Sequence, residues 1–127
     1  MPLSVPATVP GTPAPPAVTP FHLGATVTIT PPPDGGSPIT AYTANVYLTY
    51  PPVPVASQTQ FVASNPNANV FTFTGLGGQP YGFTAIAINI DGPSGESPAT
   101  IESPTSTYTV SKTVLAGTQQ STSFKSF

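Results

Sequence analysis

The chain carries few side chains that can do chemistry, and their spacing limits what they could do. Its one histidine is His22, its carboxylates are Asp34, Asp91, Glu96 and Glu102, and its cations are Lys112 and Lys125. Cysteine and arginine are absent. A serine nucleophile needs a base and a sharp Gly-x-Ser-x-Gly turn, and Gly92-Pro93-Ser94-Gly95 has the wrong spacing. His22 stands in a proline-flanked stretch and reads as a surface or packed residue. Glycoside chemistry would need two facing carboxylates. Asp34 and Asp91 both fall in turns, where bonding to their own backbone accounts for them. No third oxygen ligand joins them to make a calcium site, and without cysteine no thiolate metal site exists. Gly75-Leu76-Gly77-Gly78 leads into a strand rather than a helix, so it is no phosphate cradle. Neither an Arg-Gly-Asp tripeptide nor an Asn-x-Ser/Thr acceptor occurs. The expectation is a protein that is no enzyme and takes no cofactor or metal.

Composition narrows the partners. Only 5% of the 127 residues are charged, against about 25% in an average soluble domain. A nucleic-acid partner needs a basic patch, which two lysines cannot make. High net charge cannot drive disorder at a net charge of −2. A surface of Thr, Ser, Asn, Gln, Pro and Ala repels itself weakly and tends to associate. The opening MPLSVPATVPGTPAPP has no positive region and no continuous apolar run, so it does not read as a secretory signal. No run approaches the roughly 18 apolar residues of a membrane span. Synthesis in the cytoplasm without a cleaved signal is expected.

The positioning elements are strands. Residues 1–20 carry Pro at 2, 6, 10, 13, 15, 16 and 20, which predicts an extended polyproline-like arm. Ala25–Thr30 alternates Ala25, Val27 and Ile29 against three threonines, the period of a half-buried strand. A third strand carries Ile39, Tyr42, Ala44, Val46 and Leu48, and Tyr50–Pro54 is expected to break it. A proline-stiffened loop and a short edge strand near Thr59–Ala63 should follow. Val70–Thr74 sets Phe71 and Phe73 opposite Val70 and Thr72, and Leu76 should plug the core. Tyr81, Phe83, Ala85 and Ala87 then face inward. The next strand is expected within Ser94–Ile101.

Three stretches resemble the fibronectin type III domain, over roughly residues 13–101. They are Pro-Pro-x-Asp-Gly-Gly-Ser-Pro-Ile-Thr-x-Tyr at 31–42, Gly-Leu…Tyr-x-Phe-x-x-x-Ala-x-Asn at 75–89, and Gly-x-Ser-x-x-Ser at 92–97. The resemblance implies an all-β fold, a seven-stranded antiparallel sandwich, here with an extended N-terminal arm and an extra C-terminal strand. It makes Tyr81 the tyrosine corner, its hydroxyl pinning the loop before it. It also implies a core tryptophan where this chain has Ile29, so Phe and Tyr side chains must refill the core. The domains expected are an arm at 1–12, the sandwich at 13–103, and an extension at 104–127, strand-like at 105–115.

Two features exceed the fold. The outward face of the sixth strand carries Ile86, Ile88 and Ile90, where solvent favours Thr or Lys. That stripe is covered by the chain's own tail, forms a subunit interface, or lines a small-ligand groove. The surplus segment at 105–115 sets Tyr108, Val110 and Val114 against Thr107, Thr109 and Ser111, and surplus strands add to sheet edges. Phe124 and Phe127 end the chain as two anchors. The function expected is a structural assembly protein, a phage virion component (capsid decoration, tail or fibre) or a filament subunit. Its partners would be further copies or other virion or filament proteins, joined by edge-strand and arm exchange. The alternative is an adhesion module that binds a glycan or host surface through its end loops, with Tyr47 and Tyr50 as exposed aromatics.

Overall fold

The computed structural model describes residues 6–49 and 51–105. Within them the chain forms β1 (Ala17–Phe21), β2 (Gly24–Thr28), β3 (Ala41–Thr49), β4 (Pro52–Phe61), β5 (Val70–Phe73), β6 (Tyr81–Asn89), β7 (Gly92–Pro93) and β8 (Thr100–Glu102). One sheet has the order β1-β2-β5; the other runs β4-β3-β6-β7, with β8 also on β6. All strand pairs are antiparallel. β7 and β8 are two fragments of one final strand, so seven strands make the sandwich.

Alternation packs the two sheets as the sequence predicts. Ala25, Val27, Phe71 and Phe73 from one sheet meet Tyr42, Ala44, Val46, Tyr81, Phe83, Ala85 and Ala87 from the other, all buried. Ile29, in the place of the family's tryptophan, is fully buried just past β2. The missing volume is taken by aromatics: Phe83 packs at a ring-centroid distance of 6.5 Å from both Phe73 and Tyr81, tilted and edge-on. Leu76 closes the end of the core, and the Tyr81 hydroxyl accepts the Gly77 N–H at 2.8 Å.

Two expectations are corrected. β3 runs to Thr49, and β4 starts at Pro52 rather than near Thr59. Among the described residues β4 has a neighbour on one side only, and an edge strand tolerates prolines that a central one would reject. Between Val46 and Tyr47 the register shifts, so Val46 faces Ala56 while Tyr47 faces Pro54, leaving Val55 as a bulge. The proline-rich stretch is also not polyproline-like throughout. Ala17–Phe21 pairs with β2 as a strand, again at an edge, and Pro20 faces Ala25.

Residues 6–16 lie against the chain's own sandwich. Thr8 N–H donates to Gly35 O and Gly11 N–H to Pro33 O, both at 2.9 Å. The Asn89 amide donates to Thr8 O at 2.7 Å and to Asp34 O at 2.8 Å. Pro13 is fully buried. Gly35 has a φ of 77°, and a Cβ there would collide with the Thr8 and Val9 carbonyls.

The last strand, broken into β7 and β8, leaves the ladder between them and presents no backbone carbonyl to the Ala85 and Ala87 N–H groups. Serines complete it. The Ala87 N–H donates to Ser94 Oγ at 3.0 Å and the Ala85 N–H to Ser97 Oγ at 2.9 Å. Each serine returns its own N–H to the carbonyl of the same β6 residue. Both hydroxyls are buried with their residues, and they donate onward to Gly95 O and Pro98 O. Ser97→Ala strands a buried N–H and should cost about 1–3 kcal/mol in urea unfolding. An unchanged midpoint would mean that the Ala85 N–H finds another acceptor. Gly35→Ala should unseat the arm, seen as faster amide exchange at Thr8 and Gly11 while β3 and β6 stay protected.

Candidate functional site

The outer face of the larger sheet is read most simply as rows across its strands. Cross-strand partners put Phe61, Ala41, Ile88 and Pro93 in one row, and Thr59, Thr43 and Ile86 in the next. Ser57, Asn45 and Thr84 follow, then Tyr47, Gly82 and Ile101. The face therefore passes from apolar to polar along β3 and β6.

Ile86 and Ile88 share this face, each half-buried by its cross-strand neighbours. Ala41, between Phe61 and Ile88, is only 1% exposed. Ile90 is not with them. It sits in the turn after β6 and is 84% exposed. Tyr47 is on the same face at the polar end. Tyr50, Tyr108, Val110, Val114, Phe124 and Phe127 lie outside the described residues.

Sequence reasoning missed the polar cluster. The excursion between Ser94 and Ser97 swings Glu96 over the face. Its Oε2 accepts from Tyr47 OH at 2.7 Å, from Asn45 Nδ2 at 3.3 Å and from Thr84 Oγ1. Ser57 Oγ donates to Asn45 Oδ1 at 2.7 Å and fixes that amide. Partial burial alone would raise the Glu96 carboxyl, but the bonds from Thr84, Tyr47 and Asn45 outweigh it and hold it below its ordinary range. The same bond, with desolvation and the carboxylate's charge, raises the Tyr47 phenol above its ordinary value. Asn45, Ser57 and Thr84 meet through strand register, which periodicity does not reveal. The one sequence signal was Thr84, a polar residue at the head of an isoleucine stripe.

Beside Glu96 lies a cleft of about 410 Å³, walled by Tyr47, Thr84, Ala99 and Ile101 over Gly82. Gly82 forms its floor, and a Cβ there would touch Ala99 and Ile101 at 3.4 Å. This arrangement can hold a hydrogen-bond donor against a carboxylate with apolar contact around it. His22 is in the β1–β2 turn, bridged to Thr105. Among the described residues no group of three His, Cys, Asp or Glu could hold a metal, and no helix is long and apolar enough to cross a membrane.

The end loops are largely committed to each other. The Asn89 side chain is buried beneath the arm, the Asp34 carboxylate accepts the Gly36 N–H at 2.9 Å, and Asn65 caps its own turn at Asn67.

With 18% identity and a TM-score of 0.62, the sandwich matches the sixth fibronectin type III domain of human fibronectin type III domain containing protein 3, over 84% of this chain and 97% of that one. The fold is that of a fibronectin type III domain. The Tyr81–Gly77 bond lies where the resemblance places a tyrosine corner. Similar structures include the twitchin kinase region from C. elegans, at 27% identity and a TM-score of 0.58 over 72% of this chain. Titin kinase with its flanking domains matches at 28% and 0.54 over 74%. This chain spans only 16% and 17% of those two structures, and the match falls in flanking domains rather than in a kinase. No protein-family model and no curated protein matches the sequence. Fibronectin type III domains of this kind are commonly structural or binding modules.

Because the folded carboxyl of Glu96 titrates below its unfolded value of about 4.5, its contribution is present above that pH and lost as pH falls through the folded value. Tyr47→Phe should move the Glu96 titration upward, measured by carboxyl-carbon NMR. An unmoved titration would show that Tyr47 does not donate to Glu96 in solution.

Proposed function

We propose that this chain is a non-enzymatic structural subunit that assembles through a free sheet edge and its extended ends. A phage virion, as capsid decoration, tail or fibre, or an extracellular filament is the assembly it suits, with synthesis in the cytoplasm. The observation that carries this reading is β4. It is a ten-residue edge strand, PVPVASQTQF, without one charged side chain. Val53, Val55 and Phe61 on it, and Val62 just beyond, are 42%, 44%, 58% and 44% exposed. Proteins that stay apart blunt such an edge with charge, above all lysine. Here prolines guard only its first half, and the rest is a template for another strand.

The neighbouring sheet edge is treated differently. Gln58 Nε2 donates to Thr72 O at 2.8 Å and Gln60 Nε2 to Val70 O at 2.6 Å, so β4 seals the outer carbonyls of β5. One edge is closed and one is left open. An adhesion module acting through its end loops is the competing reading, and it would have to recruit loops already bound to the arm.

Sedimentation velocity with negative-stain microscopy tests the proposal on the full chain and on a variant ending at Thr105. Ordered particles are expected from the full chain, and a folded monomer from the shortened one. Equal assembly by both would remove the tail from the mechanism. Val55→Lys should weaken assembly about tenfold while leaving thermal unfolding within about a degree, since a surface change costs little stability. Undiminished assembly would show that the β4 edge is not an interface.

A further inference from the structure

The tail and the body of this chain are of opposite charge. All four carboxylates, Asp34, Asp91, Glu96 and Glu102, fall within residues 6–105, and both lysines fall within residues 106–127. Of the four, Glu96 alone sits in a built polar cluster beside a cleft.

The cluster leaves that carboxylate half used. Its three bonds all fall on Oε2, and none of the described residues donates to Oε1. A guanidinium is matched by two free carboxylate oxygens, whereas an ammonium is a compact donor that one oxygen suits. The cleft walls add Tyr47, Ala99 and Ile101, against which an aliphatic stem can lie with its charge at the rim. The chemistry is that of a lysine side chain.

The sequence offers a matching pattern. Tyr108, Val110, Lys112 and Val114 stand at every second position, with Thr107, Thr109, Ser111 and Thr113 between them. A lysine thus interrupts one apolar face. On the sandwich, the Glu96 row lies between the Ile86 row and the Ile101 row, an acid interrupting an apolar face. Strand residues on one side repeat at about 6.6–6.8 Å, which is also the spacing of those rows. A strand laid along β6 with Lys112 at Glu96 sets Val110 and Val114 over the flanking rows.

We propose that the cleft beside Glu96 is a seat for a lysine ammonium, and that its occupant is Lys112 of a second copy of this chain. This rests on the self-assembly reading and gives the tail its place, over the outer face and not on the β4 edge. The second copy follows from that reading. Thr105 runs parallel beside the other sheet, its N–H on Phe21 O at 3.1 Å and its carbonyl accepting the Leu23 N–H at 2.7 Å. At Thr105 the described chain points past the Leu23 turn, and the self-assembly reading makes a second copy the source of the lysine. Such a contact joins two different surfaces, which builds a reciprocally exchanged pair, a ring or an open filament.

The test uses the full chain, with isotope-labelled and unlabelled protein assembled together and treated with a water-soluble carbodiimide. That reagent joins a carboxylate to a touching amine as an amide, with loss of water. The expected product links the Glu96 peptide to the Lys112 peptide, with labelled and unlabelled halves joined. E96Q and K112Q should each abolish the link and weaken association about tenfold, as loss of one partner of an interfacial charge pair does. Mixing the two variants should restore part of the association, because each retains one working surface. Links confined to one isotope, links from Glu96 to Lys125, or no Glu96 link within intact assemblies would overturn the proposal and leave self-assembly standing. A full chain that stays monomeric at every concentration would overturn both.

Discussion

The far side of β6 must find hydrogen-bond acceptors on a segment that leaves the ladder between Ser94 and Ser97, and much of the molecule follows from that requirement. β6 lies in the middle of its sheet, and its inward residues Phe83, Ala85 and Ala87 are fully buried. A buried N–H without an acceptor costs about as much as a whole hydrogen bond is worth, so the donors of Ala85 and Ala87 cannot be left open. Ser94 and Ser97 supply hydroxyl oxygens in place of backbone carbonyls. The chain between them then bows away from the ladder. That bow carries Glu96 over Thr84, Asn45 and Tyr47 and creates the cleft beside it. Backbone satisfaction and the polar surface are one device.

The two sheets are joined by the opposite kind of interaction. Their contact is apolar and aromatic, with Phe73, Phe83 and Tyr81 meeting edge-on around a core that holds no tryptophan. Polar bonds are kept to the margins, where Gln58 and Gln60 close one side and the arm closes the other end. The scarcity of charge fits this plan. With so little electrostatic repulsion on the surface, whether edges meet other chains is decided by shape, proline placement and glutamine caps.

Much of this was legible in the residues. Period-two alternation placed Val27, Ile29, Phe71, Phe73, Phe83 and Ala85 in the core, and the tyrosine corner followed from Tyr81 and its spacing to Gly75-Leu76. Prolines misled, because their cost depends on whether a strand has one neighbour or two. Pro52 and Pro54 therefore read as a break, and Pro20 as part of a polyproline-like arm, where all three are edge residues. The Glu96 cluster could not be read at all. It depends on which residue of β3 faces which residue of β6, and on a bow whose direction is set by hydroxyl bonds 12 residues apart in sequence. Ile90 shows the limit of alternation in the other direction, since the strand ends before the pattern does.

The chain enters the sandwich at one end and leaves at the other. Thr8 is tied beside Gly35, past the end of β2, while Thr105 is tied beside Leu23, before its start. Tension applied between those points runs along the strand axes. The bonds of the arm to the loop at 33–35 and those of Thr105 to Phe21 and Leu23 are then loaded together in shear, and none can be opened one at a time like a zip. A subunit strung in series by its two ends would meet stretching as a clamp does, with its resistance set at the entry and exit points and its core shielded from the load.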